Sequence, residues 1–351
     1  FSGAGGLDRG FEDAGFDVVW ANEYDKTIWE TFQLNHPSTI LDKRSIAQIA
    51  SNEVPECDGI IGGPPCQSWS EAGALRGVKD TRGQLFFEFM RILSDKQPKF
   101  FLAENVSGML APRHKYVLEN IKNMFSECGY NLTFECVNAS DYGVPQDRER
   151  IFFIGYRKDL KIKFKFPKPV TTAPLTLKQA IWDLRNNAVP GDVKNYTKGD
   201  KCEFPNHEYF IGGFSSIFMS RNRVRSWNEV SFTIQAGGRH APIHPKAPKM
   251  ILVEKDKRQF VKGYEHEYRR LTVRECARIQ TFPDDFIFKY KQLSDGYKMV
   301  GNAVPVRLSF EVAKQILSDL SNIAIEANTT QEKKLSESAI KRRMAELINA
   351  D

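Results

Sequence analysis

The chain has 351 residues, of which 41% are hydrophobic and 27% charged, and a formal net charge of +6. That balance excludes an intrinsically disordered chain, and no apolar run approaches the 18 residues of a membrane-spanning helix. The first residues show no signal-peptide pattern. Six cysteines scattered without a C-x-x-C pair suit a reducing compartment better than a disulfide framework.

Phe1-Ser2-Gly3-Ala4-Gly5-Gly6 opens the chain as a glycine-rich turn ahead of a helical stretch. Glycines let a backbone approach a ligand closely. The strand that should feed this turn is expected in native sequence upstream of Phe1. A strand is predicted at 17–22, and Glu23 at its end is placed to hold ribose hydroxyls. The glycine spacing departs from G-x-G-x-x-G, which favours S-adenosylmethionine over a dinucleotide. A purely structural tight turn and an NAD oxidoreductase are the competing readings. Neither accounts for the Pro64-Pro65-Cys66 run.

An apolar strand at 58–61 leads into Gly62-Gly63-Pro64-Pro65-Cys66-Gln67-Ser68-Trp69-Ser70. The run sets a cysteine on a stiff proline turn just past a strand end, where open parallel sheets carry their chemistry. Residues 84–93 are apolar almost all round and predict a buried helix. A second strand at 99–103 ends in Glu104-Asn105-Val106. A helix is predicted over 115–128, closed by Gly129, with strands at 131–137 and 150–156. Alternation of this kind predicts an α/β fold, a mostly parallel sheet with helices on both faces.

Most cysteines are small buried hydrophobes. Cys66 instead stands between a Gly-Gly-Pro-Pro turn and a polar loop, a poor core environment. A reactive thiolate wants partial exposure and positive neighbours. Arg148 and Arg150 alternate along an extended segment and offer them from one face; surface ion pairs with Asp147 or Glu149 are the bland alternative.

The rhythm breaks after residue 160. Residues 160–270 hold 21 basic against 10 acidic side chains, a surplus of 11, whereas 1–159 carry a net −6 and 271–351 a net +1. The block predicts a second, irregular, largely β domain, and its charge suits a polyanion. Helical order returns at Thr272, with Thr272-x-x-Glu275 as a capping box, and a helix is predicted over 304–320. The expected domains are therefore 1–159, 160–270, a return over 271–325, and a polar tail over 326–351. Within the tail, 338–349 could form an amphipathic helix for packing or an oligomer contact. Cys202, His207, His240 and His244 match no zinc-finger spacing well, and no metal is expected.

Six blocks together resemble the cytosine-5 DNA methyltransferases of bacterial restriction–modification systems: 1–6, 62–70, 104–106, 146–150, 269–280 (RRLTVRECARIQ) and 296–306 (GYKMVGNAVPV). They keep that family's order and span the chain to about residue 320. The resemblance implies a Rossmann-like, S-adenosylmethionine-dependent methyltransferase sheet, with the basic block as target-recognition domain. It implies that Cys66 adds to carbon 6 of a flipped cytosine, that Glu104 engages ring nitrogen 3, and that Arg150, with Arg148 beside it, contacts base and phosphate. For the cofactor it implies Phe1, Gly3, Gly5, Gly6, Glu23, Tyr24, Pro65, Leu85, Asn302 and Val304. The family's Asp-Ile pair after the third strand is replaced here by Arg44-Ser45-Ile46, and Asp42 lies upstream, outside the implied set.

The segment after Cys66 resembles the family's mobile loop, with Gln67, Ser68, Ser70 and Arg82 on the DNA. Arg221, Arg223, Arg225 and Arg239 are the candidate readers of guanine or contacts to phosphate. The segment FMSRNRVRSWNE resembles the HaeIII-type enzymes, which implies GGCC as target. The expected partner is duplex DNA, with a cognate restriction endonuclease acting on the same site without a stable complex. A monomer in a prokaryotic cytoplasm is expected. An RNA cytosine-5 methyltransferase and a catalytically inactive DNA-binding relative are the remaining alternatives.

Overall fold

The computed structural model describes residues 1–65, 81–170 and 173–325, with backbone only at 81–83. Strand β1 (Trp20–Asn22) pairs in parallel with β2 (Ile40–Asp42). A four-stranded sheet comes next, built from β3 (Gly59–Gly62), β4 (Phe100–Val106), β5 (Tyr130–Asn138) and β6 (Glu149–Arg157) in the order β3-β4-β6-β5. β3 and β4 are parallel, whereas β6 runs antiparallel to both its neighbours. The expectation of a mostly parallel sheet holds for β1–β2 and β3–β4 only. The reason is the short link between β5 and β6. It holds one helical turn, Ala139–Tyr142, and no crossover helix, so the chain must reverse.

The long apolar runs are explained by coverage on both faces. Successive β4 side chains point to opposite sides. Phe100 and Leu102 join Phe11, Phe152, Ile154 and Tyr156 in a cluster closed by Leu308, Val312 and Ile316 of the helix over 306–325. Phe101 and Ala103 join the opposite cluster with Phe86, Leu93, Ile121, Phe125 and Phe153. Phe101 stacks on Phe125 at 4.3 Å between ring centroids. Residues 84–93 fall inside helix Thr81–Lys96, and 115–128 matches helix Lys115–Glu127, after which Gly129 takes φ +94°. The free edges of β1 and β3 line one shared cavity of about 670 Å³.

The described residues of 160–270 contain four short strands, paired as Val189–Pro190 with Glu208–Tyr209 and Ile251–Glu254 with Lys257–Gln259. Much of the rest is irregular and held by side chains. Arg270, for example, donates to the carbonyls of Gly212 at 3.1 Å and Gly213 at 2.9 Å. This insert has a small core of Phe218, Val224, Ile243, Ala247, Met250 and Tyr268. A larger cluster joins Ile234 and Ala241 of the insert to Ala4, Ile28 and the returning helix Val273–Ile279. That helix starts with the expected capping box. Glu275 N donates to Thr272 Oγ1 at 3.0 Å, and Thr272 N donates to Glu275 Oε2 at 2.8 Å.

Candidate active site

The glycine turn is shaped by two left-handed residues, Gly3 at φ +57° and Gly5 at φ +89°, ahead of helix Gly6–Ala14. A side chain at Gly5 would collide with the His36 imidazole. Glu23 leaves β1 and closes the turn from the other side. Its Oε2 accepts from Gly3 N at 2.9 Å, and its Oε1 accepts from Asp25 N at 2.8 Å. One cavity of about 640 Å³ opens here. Of the residues implied for the cofactor, Phe1, Gly3, Gly6, Glu23, Pro65, Leu85, Asn302 and Val304 line it. Gly5 and Tyr24 are not among the lining residues. Gly5 faces His36, and the Tyr24 side chain is 71% exposed. Asp42 also stands apart, paired with Arg44 at 2.7 Å.

Three charged lining residues, Asp8, Asp25 and Lys298, have no role assigned from the sequence. Lys298 donates to Asp25 Oδ2 and to Thr27 Oγ1, both at 2.8 Å. Asp8 sits in the first helical turn, nearly buried, and burial pushes its carboxyl up to about 6. Its place two residues after the double glycine was the available signal. A glycine turn, a carboxylate beside it and a cationic rim fit an adenosyl cofactor with a charged amino-acid end.

The same cavity runs on to Glu104, Asn105, Arg148 and Arg150. Asn105 Nδ2 donates to Pro64 O at 3.0 Å and so ties the proline turn to the end of β4. Glu104 lies against Gly63, where a side chain would crowd its carboxylate. Arg150 Nε approaches Glu104 Oε1 at 3.0 Å. Burial raises the Glu104 pKa, and the two arginines oppose that rise. Arg148 serves differently. It is 1% exposed and spends its guanidinium on three carbonyls, Ile234 O, Gly301 O and Ala303 O, each at 3.0 Å. Cys66, Gln67, Ser68 and Ser70 lie outside the described residues, as does the side chain of Arg82.

The four candidate recognition arginines, Arg221, Arg223, Arg225 and Arg239, divide into two pairs. Arg223 donates to Phe218 O at 2.9 Å and Ile217 O at 3.1 Å. Arg225 is held between Glu229 at 3.3 Å and Asp147 at 3.6 Å and lies over the Phe232 ring. Arg221 and Arg239 are exposed, and the described residues provide no partner for either guanidinium. His207 uses both ring nitrogens, facing Thr272 Oγ1 and Asn186 O at 3.0 Å each. Among the described residues no group of three or more His, Cys, Asp or Glu is arranged to hold a metal ion. No described helix is long and apolar enough to cross a membrane.

The model of the C-5 cytosine-specific DNA methylase family matches residues 1–318. The type II methyltransferase M.FnuDI of Fusobacterium nucleatum is 58% identical over 324 residues, covering 92% of this chain and 94% of the relative. M.NgoPII of Neisseria gonorrhoeae is 58% identical over 324 residues, covering 91% and 94%. Among solved structures, the S. pombe Dnmt2 methyltransferase has a TM-score of 0.63 at 17% identity, covering 91% of this chain and 97% of that one; at that identity it supports the fold alone. Matched over nearly its whole length, the chain belongs to the C-5 cytosine-specific DNA methylases and is a cytosine-5 DNA methyltransferase.

Proposed function

We propose that the enzyme methylates carbon 5 of a flipped-out cytosine in a short duplex site through a covalent Cys66 adduct. The observation that carries this is one continuous cavity. It joins the glycine turn and Glu23 at one end to Pro65, Glu104 and Arg150 at the other. S-adenosylmethionine, bound at the first end by the turn, Glu23 and the 302–304 wall, supplies an electrophilic methyl group.

The protein's own groups do the rest. Cytosine is a weak nucleophile at carbon 5. The Cys66 thiolate adds at carbon 6, and the ring electrons move toward carbon 5. Glu104, whose pKa is raised by burial, hydrogen-bonds ring nitrogen 3 and stabilises the adduct. Arg150 holds Glu104 in place and offers positive charge to the base and its phosphate. After methyl transfer, carbon 5 loses its proton to a base and the thiolate leaves, which restores the ring and the enzyme. None of these atoms is reachable within a stacked duplex, so the base must leave the stack.

The basic insert supplies recognition. Arg221 and Arg239, whose guanidinium groups have no partner among the described residues, are suited to bidentate contacts with guanine. The FMSRNRVRSWNE segment favours GGCC as target. The enzyme acts as a monomer in the cytoplasm, protecting DNA from a separate endonuclease that cuts the same site.

Duplexes carrying 5-fluorocytosine test the chemistry, because proton loss from carbon 5 is then blocked. The expected result is a covalent complex that requires S-adenosylmethionine and vanishes in Cys66→Ala. Methylation by Cys66→Ala at the wild-type rate would overturn the mechanism.

A further inference from the structure

A run of main-chain bonds docks residues 231–234 of the insert on residues 145–147. Ser231 N donates to Pro145 O and Asp147 N donates to Ser231 O, each at 2.9 Å. Behind this seam lie three side chains that are at most 1% exposed: Gln146, Arg148 and Gln280. Gln146 Oε1 accepts from Ile234 N at 2.8 Å, and its Nε2 donates to Gln280 Oε1 at 2.6 Å. Gln280 Nε2 in turn donates to Val300 O at 2.8 Å and Ala303 O at 3.1 Å. Main-chain groups at both ends fix the orientation of each amide, since an N–H needs an acceptor and a carbonyl a donor. Arg148 spans the same gap, from Ile234 O to Gly301 O and Ala303 O. Gly301 presses so closely on Gln235 that no side chain would fit there.

The far end of this chain of bonds is the wall of the cofactor end of the cavity, at Gly301–Val304. The near end lies between Arg225 and Arg239. We propose that Gln146, Arg148 and Gln280 are positioning residues that hold segment 231–234 in register with segment 300–303, so that cofactor binding and engagement of duplex by the insert are linked. The physical reason is the cost of a buried donor or acceptor left unmade, about 1–3 kcal/mol each. Neither segment shifts alone without breaking several such bonds. Linkage is reciprocal, so each ligand should strengthen the other by the same factor. The proposal rests on reading one end of the cavity as the methyl-donor pocket and the insert as the recognition region.

Two measurements test it. In the unmodified protein, S-adenosylhomocysteine alone should slow hydrogen exchange at 231–234 as well as at 300–304. Slowing confined to 300–304 overturns the proposal. Calorimetry then gives the S-adenosylhomocysteine Kd with and without a duplex that the enzyme methylates. Gln280→Met and Gln146→Met should reduce the tightening by that duplex at least about fivefold. An equal loss of affinity in both conditions, with the ratio unchanged, assigns these residues a purely structural role and also overturns it. Variants that fail to fold leave the exchange measurement to decide. No binding of S-adenosylhomocysteine to the wild type would instead remove the cofactor reading on which the proposal stands.

Discussion

Arg150 and Glu104 meet across an antiparallel strand pair, with Arg150 Nε 3.0 Å from Glu104 Oε1. In the register Arg150 stands opposite Val106, and Glu104 opposite Phe152, so the two are diagonal neighbours on one face. Both side chains are mostly buried, and the pair faces the proline turn.

The pair sets a pH dependence. Burial, the larger cause, raises the Glu104 pKa, and Arg150 is the leading opposing charge. Arg150→Met removes that opposition, so the carboxyl should titrate higher still. If the protonated form is the active one, activity persists below the pKa and fades above it. The basic limb of the kcat/KM profile should therefore move to higher pH, while the rate falls on the order of 100-fold. A limb that stays in place would separate Glu104 from the rate.

The candidate recognition arginines should separate by readout. Arg221→Ala and Arg239→Ala should relax discrimination between DNA sites, by about 1–3 kcal/mol if the lost contact is bidentate to guanine. Melting temperature should hardly change, because neither guanidinium has a partner among the described residues. Arg223→Ala should instead lower stability by about 1–2 kcal/mol, because it strips two carbonyl bonds at Phe218 and Ile217. Methylation of a panel of variant duplexes, set beside thermal melts, distinguishes the two outcomes.

Thr281 carries backbone strain. It is β-branched yet sits at φ +60°. Its hydroxyl donates to Gln280 O at 2.7 Å and accepts from Arg307 N at 2.9 Å. Glycine tolerates that conformation. Thr281→Gly should change stability by less than about 1 kcal/mol, because relief of the strain is offset by the two lost hydroxyl bonds. Thr281→Ala, which loses the bonds and keeps the strain, should lower the urea midpoint with an unchanged slope.

His244 should drive acid destabilisation. Burial is the main cause that lowers its pKa to about 4, against the opposing pull of Glu275. A depressed folded pKa means its contribution is fully present above the unfolded value of about 6.5 and is lost as pH falls toward 4. The loss should be on the order of 2–3 kcal/mol. His244→Gln should flatten the stability profile over that window in denaturant titrations at stepped pH.

Local chemistry was legible where short-range rules apply. The capping box at Thr272 and Glu275 and the helix closed by Gly129 both depend on residues close in sequence. The direction of β6 was not legible, because strand–helix alternation is silent about a final reversal. The separate fates of Arg148 and Arg150 were hidden too. They are two residues apart and alike in charge, yet one meets three carbonyls and the other a carboxylate.

Residue order alone therefore determined the family, the α/β class and the strand ends at which Pro65, Glu104 and Arg150 sit, because turns, caps and apolar runs are written in neighbouring residues. Tertiary structure alone decided which arginines are free, which carboxyl is buried and which distant carbonyls are bridged. Burial and pairing depend on groups far apart in the chain, and a buried polar atom must take whatever partner folding brings to it.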